Sequence, residues 1–511
     1  MKRGIKMKTL NNELLSGSFD FPIDLKAQPN GALPEKVLQF GEGNFLRGFV
    51  DWMIQQMNND NEFNGKVVVV QPIEHGMTDK VNQQDGLYTL YLRGIQNGQV
   101  VEDKEIISSI SRGINPYTAF DEYLKCAENP DLRVIVSNTT EAGIAYNAND
   151  RLDQTPPVSF PGKLTVFLYQ RYKAFNGDAG KGLIIIPCEL IDRNGDQLKK
   201  IVLQLAEEWQ LEAGFITWLQ EANYFLSTLV DRIVTGYPFE EVQKLSDELG
   251  YQDQLINTAE IFHLWVIEGD KKLAEELPFT QVGLNVIWTD DMTPYRTRKV
   301  RILNGAHTMT VLAAYLFGKD TVKECMDDPI ISAFMKKGIY EEIIPTLDLP
   351  EAELNEFAAA VSERFANPFI KHYLLSIALN STSKFKTRVL PSILEYIKRK
   401  NSLPKTLTFS LASLLAFYRG SEIQDNALIG NRNGNEYKIQ DDMPVLEIFK
   451  SAWEKYDDSL QGAQSLVSHF FSLKDIWGMN LNELDGFTDA ASEYLFDIVN
   501  NGMNQAIAKL I

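Results

Sequence analysis

The segment Lys299-Val300-Arg301-Ile302-Leu303-Asn304-Gly305-Ala306-His307 places an amine, a carboxamide and an imidazole on one short stretch. Together these groups have the chemistry to reduce a ketone. A lysine whose pKa is drawn down from about 10 by burial or a neighbouring charge can give a proton to an alkoxide or take one from an alcohol. An asparagine amide can hold the developing oxyanion. With Thr293 and Pro294 as a helix start, the spacing predicts a helix from Pro294 to Phe317. At about 100° per residue, His307 falls about 80° and Asn304 about 140° round the axis from Lys299, all within one half of the cylinder. The same spacing also describes an ordinary amphipathic helix, with Lys299 and Arg301 in water and His307 as a hydrogen-bonded core residue. A second site has to separate the two readings.

That site lies near the N-terminus. Lys36 to Phe40 reads as a short strand running into Gly41-Glu42-Gly43-Asn44-Phe45-Leu46-Arg47-Gly48-Phe49 and a helical pattern through Met57. A strand, a tight glycine turn and a helix let backbone approach a pyrophosphate at the helix N-terminus. The third glycine of the full fingerprint is absent, because Leu46 stands in its place. Gly41 and Gly43 call for a close backbone approach, whereas Phe45 and Arg47 also fit helix packing and a solvated charge. Lys66 to Val70 reads as a doubly buried second strand of a parallel sheet. It ends at Gln71-Pro72 with no carboxylate before Glu74, so the choice between NAD and NADP is not legible there. Further apolar strands are expected at Leu132 to Val136 and Leu183 to Ile186. The first half reads as α/β, with a dinucleotide fold as the leading option.

A chain of 511 residues exceeds what one hydrophobic core usually supports, and 44% hydrophobic with 23% charged residues is ordinary for a globular protein. The net charge of −19 argues against nucleic acid as a partner, and an anionic substrate would need a local basic pocket. Met1 to Ser18 lacks an apolar run of signal-peptide length and no stretch has transmembrane character, which points to the cytoplasm and away from a membrane. Cys126, Cys188 and Cys325, with His75, His263, His307, His372 and His469, are scattered without metal-ligand spacing, so neither a disulfide frame nor a metal is expected.

The α/β signals fade after Val286-Ile287-Trp288. We therefore expect a Rossmann-type domain with a parallel-rich sheet over 1–288 and a mostly α-helical domain over 289–511. Helices are expected over Pro329 to Tyr340, Glu351 to Arg364, Phe369 to Leu379, Leu407 to Tyr418 and Asn480 to the end. Ser421 to Asp441, with several Gly and Asn residues, reads as an exposed loop or excursion rather than a linker between independent domains. Lys299 then falls just past the domain boundary, and clefts at such boundaries favour ligands. Tyr-x-x-x-Lys pairs occur at Tyr169 to Lys173 and Tyr295 to Lys299. With 19 tyrosines and lysine at roughly one residue in seventeen, about one such pair arises by chance.

The chain resembles the polyol-specific long-chain dehydrogenases, the mannitol dehydrogenase family. The blocks that carry the likeness are Gln39 to Arg47, Gln84-Asp-Gly-Leu-Tyr-Thr89, Ser137-Asn-Thr-Thr-Glu-Ala-Gly143, Ile186-Pro-Cys-Glu-Leu-Ile-Asp192, Leu229-Val-Asp-Arg232, Lys299 to His307, Asn367-Pro368 and Lys384-Phe385. They span nearly the whole chain in order. The resemblance implies a metal-independent enzyme using NAD, with Lys299 as general acid/base and Asn304 and His307 orienting the carbonyl and binding substrate. It implies Phe40, Gly41, Gly43, Asn44 and Phe45 around the cofactor, Glu141 on the nicotinamide side, and Asp231, His372 and Lys384 near the substrate. Glu141 also fits a cap on the turn around Gly143, and Asp231-Arg232 also fits a structural ion pair.

Within the family the likeness is greatest to the members acting on hexuronates, which implies NADH-dependent reduction of tagaturonate to altronate in galacturonate breakdown. Lys371, His372, Lys384, Lys386 and Arg388 form a basic run suited to an anionic sugar acid, although a solvated helix face accounts equally well for Lys371, Lys386 and Arg388. Two positions depart from the mannitol-type pattern. Leu190 replaces an asparagine of the oxyanion contact, and a leucine side chain cannot donate a hydrogen bond. Arg296 stands where a proton-relaying glutamate is found. Reduction of fructuronate and oxidation of mannitol are the neighbouring alternatives, with Leu190 arguing against mannitol. From other classes, a non-catalytic dinucleotide-binding module or an isomerase or decarboxylase using NAD transiently remain open. Oligomeric state is not legible.

Overall fold

The computed structural model describes residues 7–17, 19, 21, 22, 25 and 31–511. Met1 to Lys6 and Ser18, part of the stretch read above for a leader, lie outside them. Two compact units divide the chain: Met1–Gly94 with Val100–Met292, and Ile95–Gln99 with Thr293–Ile511. Among the described residues no helix is long and apolar enough to cross a membrane, and the three cysteines are buried and free.

The first unit is built on a six-stranded sheet ordered Ile110–Ile114, Lys66–Val70, Glu35–Phe40, Val134–Ser137, Ile184–Pro187, Tyr224–Phe225. Every pairing in it is parallel. Taken in chain order the strands read 3-2-1-4-5-6, the doubly wound arrangement whose order reverses beside its first strand. Successive side chains point to opposite faces, and both faces are covered. Val37, Val67, Val69, Val136 and Ile186 meet Phe49, Met53 and Trp265 on one side. Leu38, Phe40, Val68, Val70 and Ile185 meet Tyr123, Phe167 and Leu198 on the other. This is why Lys66–Val70 is buried along its whole length and reads as an unbroken apolar run rather than an alternating one. Two smaller sheets complete the unit, Val234–Gly236, Asn257–Glu260, Tyr88–Gln96, Gln99–Ile107 and Val286–Thr289, Leu264–Glu268, Ser227–Asp231.

The second unit is mostly helical. Its centre is Lys405–Phe417, buried from Thr406 to Phe417, as expected of a helix apolar all round. Gly305–Phe317 and Phe487–Asn501 pack on it. The buried Glu342 carboxylate accepts hydrogen bonds from the Thr406 and Leu407 amides, each at 2.8 Å. A negative charge is thereby held where the helix dipole is positive.

Three expectations need correction. Ser421 to Asp441 is no loop but a three-stranded antiparallel sheet, Gly420–Gln424, Ala427–Arg432 and Asn435–Ile439. Its Gly and Asn residues are hairpin turns: Asp425 and Asn426 have φ of 49° and 60°, Asn433 and Gly434 of 54° and 89°. Two consecutive positive φ values are the turn that suits the twist of paired strands. Phe369 to Leu379 is helical only over Leu374–Ile377. Before it the chain runs extended, with the His372 carbonyl accepting from Val322 N at 3.0 Å and Leu374 N donating to Asp320 O at 2.9 Å. The C-terminal run is a short turn at Leu481–Glu483 followed by helices Phe487–Asn501 and Met503–Ala508, separated at Gly502 with φ 84°.

The turn chemistry has a measurable consequence. A Cβ on Gly434 would meet nothing within 4 Å, but the backbone there is left-handed, whereas Gly43 combines the same open space with an ordinary extended backbone. Gly434→Ala is expected to cost about 1–2 kcal/mol in urea unfolding, and Gly43→Ala less than about 0.5 kcal/mol.

Candidate functional site

The helix of the second unit that carries the predicted chemistry is not uniformly wound. Thr293–Arg298 is α-helical, Lys299–Asn304 is a π-helix, and α winding resumes over Gly305–Phe317. Bonds to the fifth residue back turn the chain by less than 100° per residue. Asn304 is therefore brought further round toward Lys299 than regular winding would place it. Lys299 and Asn304 are both half-buried. The Asn304 carbonyl accepts from Thr308 Oγ1 at 2.9 Å, and its carboxamide makes no hydrogen bond to the described chain. Arg301, read as solvated, donates to Ser392 Oγ at 3.0 Å.

His307 is not the hydrogen-bonded core histidine of the alternative reading. Its Nε2 is sealed from solvent and has no hydrogen-bond partner. The ring stacks on Phe365 with centroids 4.0 Å apart and meets His372 edge-on at 5.2 Å. Burial first, then His372, Arg364, Arg388 and Lys384, hold its pKa well below the usual imidazole range. His307 is thus a neutral ring within a group of cations. Burial and then Arg388 also push the Lys384 ammonium down, and Lys384 Nζ donates to the Ile377 carbonyl at 2.9 Å.

Around His307 the second unit gathers His372 and Lys384, and adds Arg388 from the basic run; Lys299 and Asn304 stand on the preceding turns of the same helix. Lys371 is exposed, and Lys386 lies beside Gly478. Arg364 and Phe365 were missed by sequence reasoning, although they immediately precede the Asn367-Pro368 block. Arg296 is half-buried on the first turns of the helix.

In the first unit Gly41 follows the strand at which the sheet order reverses. Its φ is 120°, and a Cβ on it would lie 2.9 Å from the Asn138 carbonyl, while a Cβ on Gly43 would meet nothing within 4 Å. One glycine is demanded by backbone geometry and the other leaves an open approach to main chain, which is what a dinucleotide pyrophosphate needs. The helix after them is shorter than expected: Asn44–Arg47 is a single turn, and Val50–Asn59 starts anew after Gly48 and Phe49.

Other predicted cofactor residues have structural duties. The Phe40 ring is fully buried against Tyr123 and Phe160, so that residue offers no side chain to a ligand. Asn44 Oδ1 accepts from Arg47 Nη2 at 2.6 Å, and Phe45 stacks on Phe49 at 5.1 Å. Arg47, for which a solvated charge is one of the readings, is 1% exposed and donates to the carbonyls of Glu42 and Leu255. Glu141 is exposed in the turn after Val134–Ser137. Asp231 is buried at the end of its strand, and its neighbour Arg232 donates to the Glu260 and Gly48 carbonyls at 2.8 and 2.9 Å. Leu190 is 64% exposed, but the preceding Glu189 is buried and accepts from Thr139 N, Thr139 Oγ1 and Ser137 Oγ at 2.9–3.0 Å. Gln71, where a ribose-binding acid would stand, donates instead to the Ile73 and Glu74 carbonyls.

The strand order makes the first unit a Rossmann-type domain. Residues 35–281 match the mannitol dehydrogenase Rossmann domain and residues 291–499 the mannitol dehydrogenase C-terminal domain, and the chain belongs to that family. Altronate oxidoreductases from Escherichia coli O6:K15:H31 (strain 536 / UPEC) and Escherichia coli O1:K1 / APEC are each 50% identical to it over 505 residues, covering 99% of this chain and all of theirs. Among solved structures, Pseudomonas fluorescens mannitol 2-dehydrogenase, in a ternary complex with NAD and D-mannitol, is 22% identical with a TM-score of 0.65 over 99% of both chains. A D-sorbitol dehydrogenase in substrate-free form is also 22% identical, with a TM-score of 0.77 over 98% of this chain and 100% of its own. At that identity the likeness is one of fold.

Beneath the glycine turn, Gln39 Nε2 donates to the Gly41 carbonyl at 3.0 Å and to Asp51 Oδ2 at 3.1 Å. Gln39 Oε1 and Asp51 Oδ1 are buried without partners. Burial raises the Asp51 carboxyl to about 7, against the opposing hydrogen bond from Gln39. An acid whose folded pKa exceeds its unfolded value takes up a proton on folding, so its penalty grows as pH rises from about 4 to about 7 and is constant above. Asp51→Asn is expected to stabilise the protein by roughly 2–4 kcal/mol at about pH 8 and hardly at all near pH 4. Urea unfolding at the two pH values checks this, and an equal change at both would refute it.

Proposed function

We propose that this chain is an NAD-dependent, metal-independent oxidoreductase that reduces D-tagaturonate to D-altronate, reversibly, with Lys299 as general acid/base. The observation that carries the substrate is the end-to-end 50% identity to altronate oxidoreductases. The site agrees in kind, because a basic group of side chains around His307 within a chain of net charge −19 suits a sugar acid better than a neutral polyol.

NADH supplies the hydride when bound, and Gly41 and Gly43 are the residues whose backbone would admit its pyrophosphate. In the reductive direction Asn304 donates a hydrogen bond from its free carboxamide to the ketone oxygen and stabilises the charge that gathers there. The Lys299 ammonium gives its proton to that oxygen, leaving a neutral amine that regains a proton from solvent; in oxidation the amine removes the proton from the alcohol. His307, held neutral, serves as a hydrogen-bonding partner to a substrate hydroxyl rather than as an acid. His372 and Lys384 complete the substrate's surroundings, and Asp231 is assigned with them on the resemblance. Without a hydrogen-bonding side chain at residue 190, the oxyanion depends more heavily on Asn304.

NADH absorbance during turnover with tagaturonate, fructuronate and fructose tests the assignment. Tagaturonate is expected to be consumed preferentially. Lys299→Ala should lower kcat by about 10²–10⁴-fold and Asn304→Ala by about 10²–10³-fold. A preference for fructuronate or fructose would overturn the substrate, and an undiminished Lys299→Ala enzyme would overturn the mechanism.

A further inference from the structure

We infer that Arg388 receives the carboxylate of the substrate and thereby sets the preference for a sugar acid over a neutral ketose; this rests on the hexuronate reading above. Arg388 closes the helix Ser381–Arg388. Its carbonyl lies 3.3 Å from where a Cβ on Gly305 would stand, so the helix end is seated directly against the residue between Asn304 and Ala306. From there its charge acts on His307, whose buried Nε2 lacks a partner.

The state of the guanidinium distinguishes it from its neighbours. Arg298 lies over the rings of Tyr295 and Phe357 and pairs with Glu353. Arg301 bonds Ser392, Arg399 pairs with Glu395 and Asp348, Arg419 with Asp458, and Arg432 with Asp320. Arg296 and Arg364 are also engaged. Among the described arginines of the second unit, Arg388 is the one with neither hydrogen bond nor ion pair. It is nevertheless half-buried.

A guanidinium cannot relieve burial by shedding its proton. Lys384 has the Ile377 carbonyl to satisfy it, but Arg388 sits unmatched near two other cationic side chains. Among the described residues no carboxylate pairs with it. An anion from outside offsets both the desolvation and the repulsion, and the planar fork of arginine fits a carboxylate with two parallel hydrogen bonds. A neutral ketose offers no such group.

Steady-state kinetics with D-tagaturonate and the neutral ketose D-tagatose test this in the wild type, Arg388→Gln and Arg388→Lys. Arg388→Gln is expected to raise KM for tagaturonate about 10- to 100-fold, the loss of one charge-assisted pair, while KM for tagatose stays within about threefold and kcat changes less than KM. Arg388→Lys restores the charge without the fork and should recover part of the loss. Equal losses on both substrates, or an unchanged KM for tagaturonate in a variant with wild-type urea midpoint, would overturn the assignment. Calorimetric titration with D-altronate and D-altritol reads the same residue without turnover. Tighter binding of the acid by wild type, lost in Arg388→Gln, supports it; equal affinity of wild type and variant for altronate, or no binding by wild type, overturns it. A wild type that binds altronate through Arg388 yet does not reduce tagaturonate would sink the reductase reading and leave this one standing.

Discussion

One helix combines a rotation fixed by its buried half with a side-chain placement that regular winding would not give. The part from Gly305 to Tyr315 is buried almost continuously and packed on Lys405–Phe417, which fixes the rotation of the helix about its axis. The part before it carries Lys299 and Asn304, which α geometry would leave about 140° apart. Winding Lys299–Asn304 as a π-helix resolves the conflict, and such insertions are found at functional sites. The return to α winding falls at Gly305, where the Arg388 carbonyl lies too close for a side chain to enter freely. A second π stretch, Gly338–Ile343, packs against the first. Gly338 would carry a Cβ only 2.5 Å from Met309, and Glu342 from the same stretch caps the central helix.

Electrostatics follows from that packing. The protein is strongly acidic, yet the surroundings of His307 are positive, with Arg364, Arg388 and Lys384 all acting on it. Like charges gathered in a partly dry setting repel one another, and at Lys384 the Asp441 carboxylate offsets part of this. Burial pushes the His307 and His372 imidazoles down, away from their charged forms. Arg388 stands in the last turn of its helix, where the dipole favours a cation. What remains is a positive field with little internal compensation, the condition under which an anionic ligand contributes most.

The sequence made the sheet legible because doubly buried parallel strands read as plain apolar runs: Lys66–Val70 needs no knowledge of its neighbours. The strand Ile110–Ile114 was not legible, since Ser111, Arg112 and Gly113 interrupt it; Arg112 spans Glu35 and Cys126 at the sheet edge. The small sheet at Gly420–Ile439 reads as a loop because Asn-Gly pairs serve both loops and hairpins, and only the flanking alternation separates them. The lysine, asparagine and histidine of the second unit were legible as types, but their mutual placement was not, because periodicity assumes one constant winding. Arg364 was hidden for a related reason: nothing local distinguishes a buried arginine from a solvated one at the end of a helix.

The glycine turn shows how a motif can lose a residue and keep its shape. A third glycine ordinarily lets the helix lie close to its packing partners. Leu46 occupies that position here and is buried in the core. The close approach has moved two residues on, to Gly48, where a Cβ would stand 3.1 Å from Asn257 Nδ2 and from Val234. The first helix accordingly stops after one turn, and the dipole of a long helix is not available to the turn. Rigidity comes instead from buried polar side chains: Arg47 links Asn44 and the Glu42 carbonyl to Leu255, and Asp253 holds the Leu255 amide, Gln84 and Thr89. The Gln84 to Thr89 block is thereby explained as the far anchor of the turn. In this chain the geometry of the glycine turn is imposed through the side chains beneath it, and a fingerprint search confined to glycine spacing undervalues it for that reason.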